Sequence, residues 1–276
     1  MLSIAVTGAN GYIGRHVVTA LCDMGACVYA LDLCVEGGDP RARWMQVDVF
    51  DPSFAPAELF DEMPDVCLHL AWRNGFDHNA PTHMGDLSGH YLFLHKMIDA
   101  GVGRVAVMGS MHEVGYWEGA ITEETPCKPL SAYGVAKDAL RRALEIESGR
   151  KGFALQWLRG FYIYGDDAQS QSIFGKLLRA ARAGQKTFPF TTGKNKYDFT
   201  PVAELAHMIA AATMQDEVLG IINCCSGKPV SLAEQIEGFI RDNHLDIQLE
   251  YGAFPDRPYD SPGVWGDARK IQRILG

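Results

Sequence analysis

The chain has 276 residues, 47% of them hydrophobic and 21% charged, with a formal net charge of −9. That length buries a full core and leaves room for a smaller second domain, and the composition is that of a globular protein. The acidic balance argues against nucleic acid as the main partner, because binding a phosphate backbone needs a basic face. No apolar run reaches the roughly 18 residues of a membrane span and the chain opens directly on an apolar strand, so neither a membrane partner nor a signal peptide is expected. The seven cysteines include no Cys-x-x-Cys and offer no zinc pattern or disulfide framework; reduced thiols in the cytoplasm and no bound metal are the expectation.

Taken in order, Ile4 to Val6 reads as a strand that runs through Gly8-Ala9-Asn10-Gly11-Tyr12-Ile13-Gly14 into a helix with Ile13, Val17, Ala20 and Leu21 on one face. Three glycines at this spacing suit a strand-to-helix turn that cradles a pyrophosphate: the first makes the turn, the second admits the ligand to the backbone, the third lets helix pack on strand. An ordinary glycine-rich turn has the same spacing. The next strand, Ala26 to Leu31, separates the two readings, because it ends in Asp32, 18 residues after Gly14. A carboxylate there accepts hydrogen bonds from the adenosine ribose and repels the extra phosphate of NADP, so NAD is the expected cofactor. Gly8, Asn10, Gly11, Tyr12, Ile13, Gly14 and Asp32 are its expected contacts.

A third strand around Trp44 to Val47 leads to Asp48 and Val49, which are placed at the adenine; Asp48 equally reads as a loop cap. A helix is expected over 55–62, then a buried strand from Val66 to Ala71 whose end, Leu70 and Ala71, adjoins the cofactor. His69 within it reads as a satisfied core histidine. The polar, aromatic loop from Trp72 to Met84 follows a strand's carboxyl end, where open α/β sheets bind ligands, so it is expected to line the site. Leu87, Tyr91, Leu94 and Ile98 mark a helix face ending at Gly101, and Val105 to Met108 a fifth strand. At its end come Ser110, Met111, His112 and Glu113, and 23 residues after Ser110 the sequence Tyr133-x-x-x-Lys137. Residues at i and i+4 share a helix face, the spacing at which an ammonium lowers the pKa of a catalytic phenol. That helix is expected to end near Gly149.

Together Thr7-Gly-x-x-Gly-x-x-Gly14, Asp32, His69-Leu-Ala71, Ser110 and Tyr133-x-x-x-Lys137 resemble the extended short-chain dehydrogenase/reductase family, the nucleotide-sugar epimerases, dehydratases and reductases. The resemblance continues through Leu158 to Gly165, Asp198 to Val202, Asn223 to Gly227 with Ser231-Leu232, and Arg257-Pro258-Tyr259-Asp260. It implies an α/β fold with a Rossmann-type doubly wound parallel sheet and a smaller C-terminal α/β substrate domain. The cofactor domain would span 1–165 with a return over about 198–226, and the substrate domain mainly 166–276. It also implies a homodimer through the helices around Leu87 to Ala100 and Ala132 to Gly149.

Departures from the family pattern narrow the activity. Registering Val114 on the family's valine puts Met111 at the usual hydroxyl position, with Ser110 one residue earlier. The dehydratase acid pair is His112-Glu113, which disfavours dehydration, and Asp86 stands for the customary asparagine. The segment Gly109 to Gly119 looks closest to reductases of 4-keto-6-deoxy sugar nucleotides. The resemblance implies hydride transfer with NAD at a carbon–oxygen centre of a nucleotide-activated sugar. Tyr133 would be the acid/base, Lys137 and the oxidised nicotinamide would both lower its pKa, and Ser110 would hold the carbonyl oxygen. Trp72, Met111, His112, Glu113 and Arg257 are the expected substrate contacts, Arg257 and Lys194 or Lys196 meeting the diphosphate; His112 and Glu113 also read as simple loop caps. A nucleotide-sugar epimerase that retains NAD, or a dehydrogenase of a free sugar or small alcohol, are the alternatives.

Overall fold

A computed structural model describes residues 1–165, 172–256 and 260–276. Arg257, expected at the diphosphate, lies outside the described residues. The first half alternates strand and helix: β1 (Ser3–Thr7), α1 (Gly14–Asp23), β2 (Cys27–Asp32), β3 (Arg43–Gln46), α2 (Pro56–Leu59), β4 (Val66–His69), α3 (Thr82–Gly85), α4 (Leu87–Asp99) and β5 (Arg104–Ser110). After a 3₁₀ turn at Met111–Glu113 come β6 (Gly119–Ile121), α5 (Ala132–Lys151), β7 (Ala154–Gly160) and β8 (Tyr162–Tyr164). The remainder runs α6 (Ile173–Arg182), β9 (Thr187–Pro189), β10 (Lys196–Tyr197), β11 (Phe199–Pro201), α7 (Val202–Met214) and β12 (Gly220–Cys224). It ends with β13 (Val230–Ser231), α8 (Leu232–Asp242), β14 (Gln248–Glu250), β15 (Gly263–Gly266) and α9 (Arg269–Leu275).

Seven strands form one parallel sheet in the order β12-β7-β5-β4-β1-β2-β3. The order reverses between β1 and β4, the place where a doubly wound sheet opens a ligand crevice beyond its carboxyl ends. Alternation along each strand builds both faces. Ile4 and Val6 point to α1 and α7, joining Val17, Leu21, Leu205 and Ile209. Ala5, Cys67, Val105 and Val107 point to α4 and α5, joining Phe93, Leu94, Met97, Leu140 and Leu144.

The expected elements recur with local differences. The helix expected over 55–62 is one turn, because Phe60 is extended (φ −118°, ψ 127°) and turns its ring edge-on to Tyr29. α4 buries His90, Phe93, Leu94, Met97 and Ile98, so Leu87 and Tyr91 stand at the margin of the core face and not at its centre. α5 runs to Lys151 and ends on the left-handed Gly152, one turn beyond the stop expected near Gly149. The edge strand expected over 247–251 is the short β14, paired with β9.

A second sheet, β13-β10-β15-β6, takes β6 from the first half of the chain. The seam between the two sheets is held by Asp198, fully buried just before β11. One carboxylate oxygen accepts from the Ser226 N–H and hydroxyl (2.9 and 2.6 Å). The other accepts from the Gly227 and Gly266 N–H groups (2.9 and 3.2 Å). One side chain thus joins β11 to the end of β12 and to β15. Asp198→Ala orphans three backbone donors, and we expect it to cost about 3 kcal/mol of unfolding free energy; a denaturant midpoint unchanged from the parent would contradict this role.

Candidate active site

The glycine loop is built so that backbone meets backbone. Gly8 is left-handed (φ +64°), and a Cβ on it would lie 2.7 Å from the Cα of Ala71; a Cβ on Gly14 would lie 2.0 Å from the Gly8 carbonyl oxygen. No side chain fits at either place. The loop is therefore pressed against Leu70 and Ala71 at the end of β4, with Tyr12 and Ile13 leading into the N-terminus of α1. Asp32 closes it from the β2 side, accepting from the Asn10 N–H (2.9 Å) and the Cys34 N–H (3.2 Å). The Asn10 amide holds the following loop through the carbonyls of Cys34 and Glu36, while the Tyr12 hydroxyl donates to the Gly165 carbonyl at 2.6 Å. Asp48 is exposed and caps its own loop through the Phe50 N–H, and Val49 packs on the core below.

Behind the loop runs a buried chain of polar groups. Thr7 Oγ1 accepts from the Ala71 N–H and lies 2.7 Å from His69 Nδ1, whose Nε2 lies 2.8 Å from His90 Nδ1. Burial holds both imidazoles neutral, driving His69 well below the ordinary histidine range and His90 down to about 3. His69 is a satisfied core histidine.

At the end of β5 the chain turns sharply, and the turn is locked from inside. Ser110 and Glu113 make a reciprocal capping box. Glu113 accepts from the Ser110 N–H (2.6 Å), from Trp157 Nε1 (2.9 Å) and from Arg159 Nη2 (3.2 Å), and neither charged side chain is exposed. Glu113 is thus a structural carboxylate and not the substrate contact expected of it, because all its acceptor capacity is directed into the core. Met111 corrects likewise: it is buried in the apolar core, and the hydroxyl that bears on the phenol's pKa is that of Ser110.

α5 begins on the cap Ser131, whose hydroxyl accepts from Gly134 N–H. The preceding loop uses the next donors: His78 carbonyl takes the Tyr133 N–H (2.9 Å), and Asn79 Oδ1 takes that of Ala132 (3.3 Å). Tyr133 is fixed in turn among rings. His78 stacks on it (5.4 Å, 13°), and Trp72, His83 and His112 approach at 5.9, 5.2 and 6.0 Å. The loop from Trp72 to Met84 therefore lines the site. His112 stands 4.1 Å from His78 and is pushed by burial down to about 3.

One turn along α5, the Lys137 ammonium is buried, donates to the Met108 carbonyl (2.6 Å) and lies 3.7 Å from the centre of the Trp72 ring. The expected lowering of the Tyr133 pKa does not come from the protein's own groups. Burial raises the phenol to about 12 against a hydrogen bond from Ser110, and lowers Lys137 to about 7. The ammonium sits 5.9 Å from the phenol ring and is directed elsewhere. The residues not legible in the sequence as part of this site are His90, Trp157 and Arg159; only His90 carried a signal, a polar residue one helical turn from Leu87 and Leu94 on an apolar face. The lysines proposed for the diphosphate, Lys194 and Lys196, are exposed at β10.

Comparison with known proteins follows this geometry. Residues 4–225 match the model of the NAD dependent epimerase/dehydratase family. The chain is 41% identical to a dTDP-6-deoxy-L-talose 4-dehydrogenase (NAD(+)) from Aggregatibacter actinomycetemcomitans, over 96% of this chain and 99% of that protein. It is 25% identical to a UDP-glucose 4-epimerase from Lactobacillus helveticus, over 100% and 91%. The solved structure of MoeE5 in complex with UDP-glucuronic acid and NAD superposes with a TM-score of 0.82 at 26% identity, over 99% of this chain and 92% of that one.

The buried ammonium makes a stability prediction. A lysine whose folded pKa is about 7 against an ordinary 10.5 binds fewer protons folded than unfolded between those values, so stability rises with pH through that window. Below it the full cost of burying the charge is present. Lys137→Met should therefore be as stable as the parent or more so near neutral pH, with the difference shrinking by about pH 10. A variant less stable at neutral pH, with no such trend in thermal midpoints, would count against a net cost of burying the ammonium.

Proposed function

The chain belongs to the NAD-dependent epimerase/dehydratase family, and from that premise we propose that it is an NAD-dependent oxidoreductase interconverting the C4 hydroxyl and C4 ketone of a 6-deoxyhexose carried on a nucleoside diphosphate. The observation that carries this reading is the cluster at the carboxyl edge of the sheet: Ser110 at the end of β5, the buried Tyr133 phenol among the rings of Trp72, His78, His83 and His112, and Lys137 one turn along α5. The 41% identical relative supports the sugar class.

The residues fit a dinucleotide. The side-chain-free Gly8 and Gly14 let the backbone between them close on a pyrophosphate at the N-terminus of α1. Asp32 is held beside the loop, where a ribose diol would find its carboxylate. NAD in this groove supplies the hydride acceptor and, when oxidised, the positive charge that the phenol lacks among its protein neighbours. Asp48, Val49, Leu70 and Ala71 complete that groove in our reading, with Tyr133 and Lys137 at its reactive end.

In oxidation Tyr133 accepts the C4 hydroxyl proton and Ser110 hydrogen-bonds the same oxygen; in reduction Tyr133 returns it. The neutral imidazoles of His78 and His112 form the wall facing the sugar and exclude water from Tyr133. The diphosphate falls to the second unit, residues 166–276, whereas 1–165 with the return through α7 and β12 hold the cofactor. We place a homodimer on α4 and α5, where Leu92, Val135 and Ile146 are exposed. The 25% identical UDP-glucose 4-epimerase supports a second reading, epimerisation on retained NAD.

With dTDP-6-deoxytalose and NAD, the enzyme should form NADH, and Tyr133→Phe should lower kcat about a hundred- to ten-thousand-fold while NAD still binds. Turnover preserved in that variant would remove Tyr133 from the proton transfer.

A further inference from the structure

Lys137 is a buried cation without a counter-ion. Its nearest carboxylate, Glu113, is committed to Arg159, Trp157 and the Ser110 N–H. The other titratable groups facing it are Tyr133 on its own helix, His69 on β4 and His90 on α4, and burial keeps all three uncharged at neutral pH. Among the described residues, the contacts made by the ammonium are the Met108 carbonyl and the Trp72 ring, 3.7 Å from its centre.

That indole is held firmly. Its Nε1–H donates to His83 Nδ1 at 3.1 Å, which leaves Nε2–H of His83 to donate to the Asp77 carbonyl at 2.7 Å. Its ring stacks on His90 at 4.1 Å and 12°. His90 is tied through His69 to Thr7 on β1. Trp72 is therefore fixed from the loop on one side and from two core strands on the other, with a π face presented to the ammonium.

We propose that Trp72 is a positioning residue for the reaction: its indole takes the place of a counter-ion for Lys137, stabilising the ammonium and holding it at its seat between the Met108 carbonyl and the ring face. A ring face attracts a cation through its quadrupole, and the attraction grows when water is excluded. A carboxylate in the same position would place a negative charge close to Tyr133; an indole stabilises the ammonium without adding one. The inference rests on the family reading of Lys137 as catalytic, and its test needs neither substrate nor cofactor.

The test is a titration of Lys137 by NMR with carbon-labelled lysine, its signal assigned by loss in Lys137→Arg, in the parent, Trp72→Phe and Trp72→Leu. The midpoint should fall by about one pH unit in Trp72→Leu and by less in Trp72→Phe. Midpoints equal to the parent's in a folded variant would overturn the proposal, whatever happens to turnover. If Trp72→Leu does not fold, Trp72→Phe alone decides, because a phenyl face is the weaker cation partner and must shift the midpoint down. Absence of activity on any dTDP-6-deoxyhexose with an intact midpoint shift would strike the substrate reading and leave this one standing.

Discussion

The site depends on a carboxylate that faces away from it. Glu113 and Arg159 are both without exposure, and taking two such charges out of water costs several kcal/mol each unless every donor and acceptor finds a partner. Here they do: the Ser110 N–H, the Trp157 indole and the Arg159 guanidinium all converge on Glu113, and Arg159 continues to the Thr122 carbonyl. The pair joins the end of β5 to β7 and fixes the tight turn that follows β5. The place of the Ser110 hydroxyl, which caps the turn through the His112 N–H, is a consequence of that lock. A charge pair buried in the core thereby sets the position of an uncharged hydroxyl at the surface of the crevice.

A second consequence is dryness. The core that supports the turn also shields the groups beyond it, and burial drives each toward its neutral form: Tyr133 upward to about 12, Lys137 downward to about 7, His90 and His112 down to about 3. In such surroundings a single added charge acts strongly, since the screening of water is missing. Surroundings this dry are thus poised to respond to a charged cofactor, and the imidazoles packed around Tyr133 hold the phenol in place.

The glycine loop, Asp32 and the Tyr133–Lys137 spacing were legible because each is a short-range pattern: strand, turn and helix period place them without help from distant chain. Glu113 was not, since its partners Trp157 and Arg159 lie on β7, 44 and 46 residues away, and a carboxylate in a polar turn after β5 reads as solvent-facing until those strands pair. The same holds for Met111, whose place in the core follows from the direction of the 3₁₀ turn. Trp72 and His78 could be assigned to a lining loop from their position after β4. That one would meet Lys137 and the other stack on Tyr133 depends on how the loop caps α5, a contact spanning 55 residues between His78 and Tyr133 that periodicity does not encode.

The central claim is that hydrogen leaves C4 of the sugar as hydride and goes to NAD. It is tested most directly with a dTDP-6-deoxyhexose carrying deuterium at C4, incubated with one equivalent of NAD and followed by NMR. The account predicts deuterium in the reduced nicotinamide in step with formation of the 4-keto sugar. Sugar converted with its deuterium retained at C4, and no labelled NADH released, would contradict it.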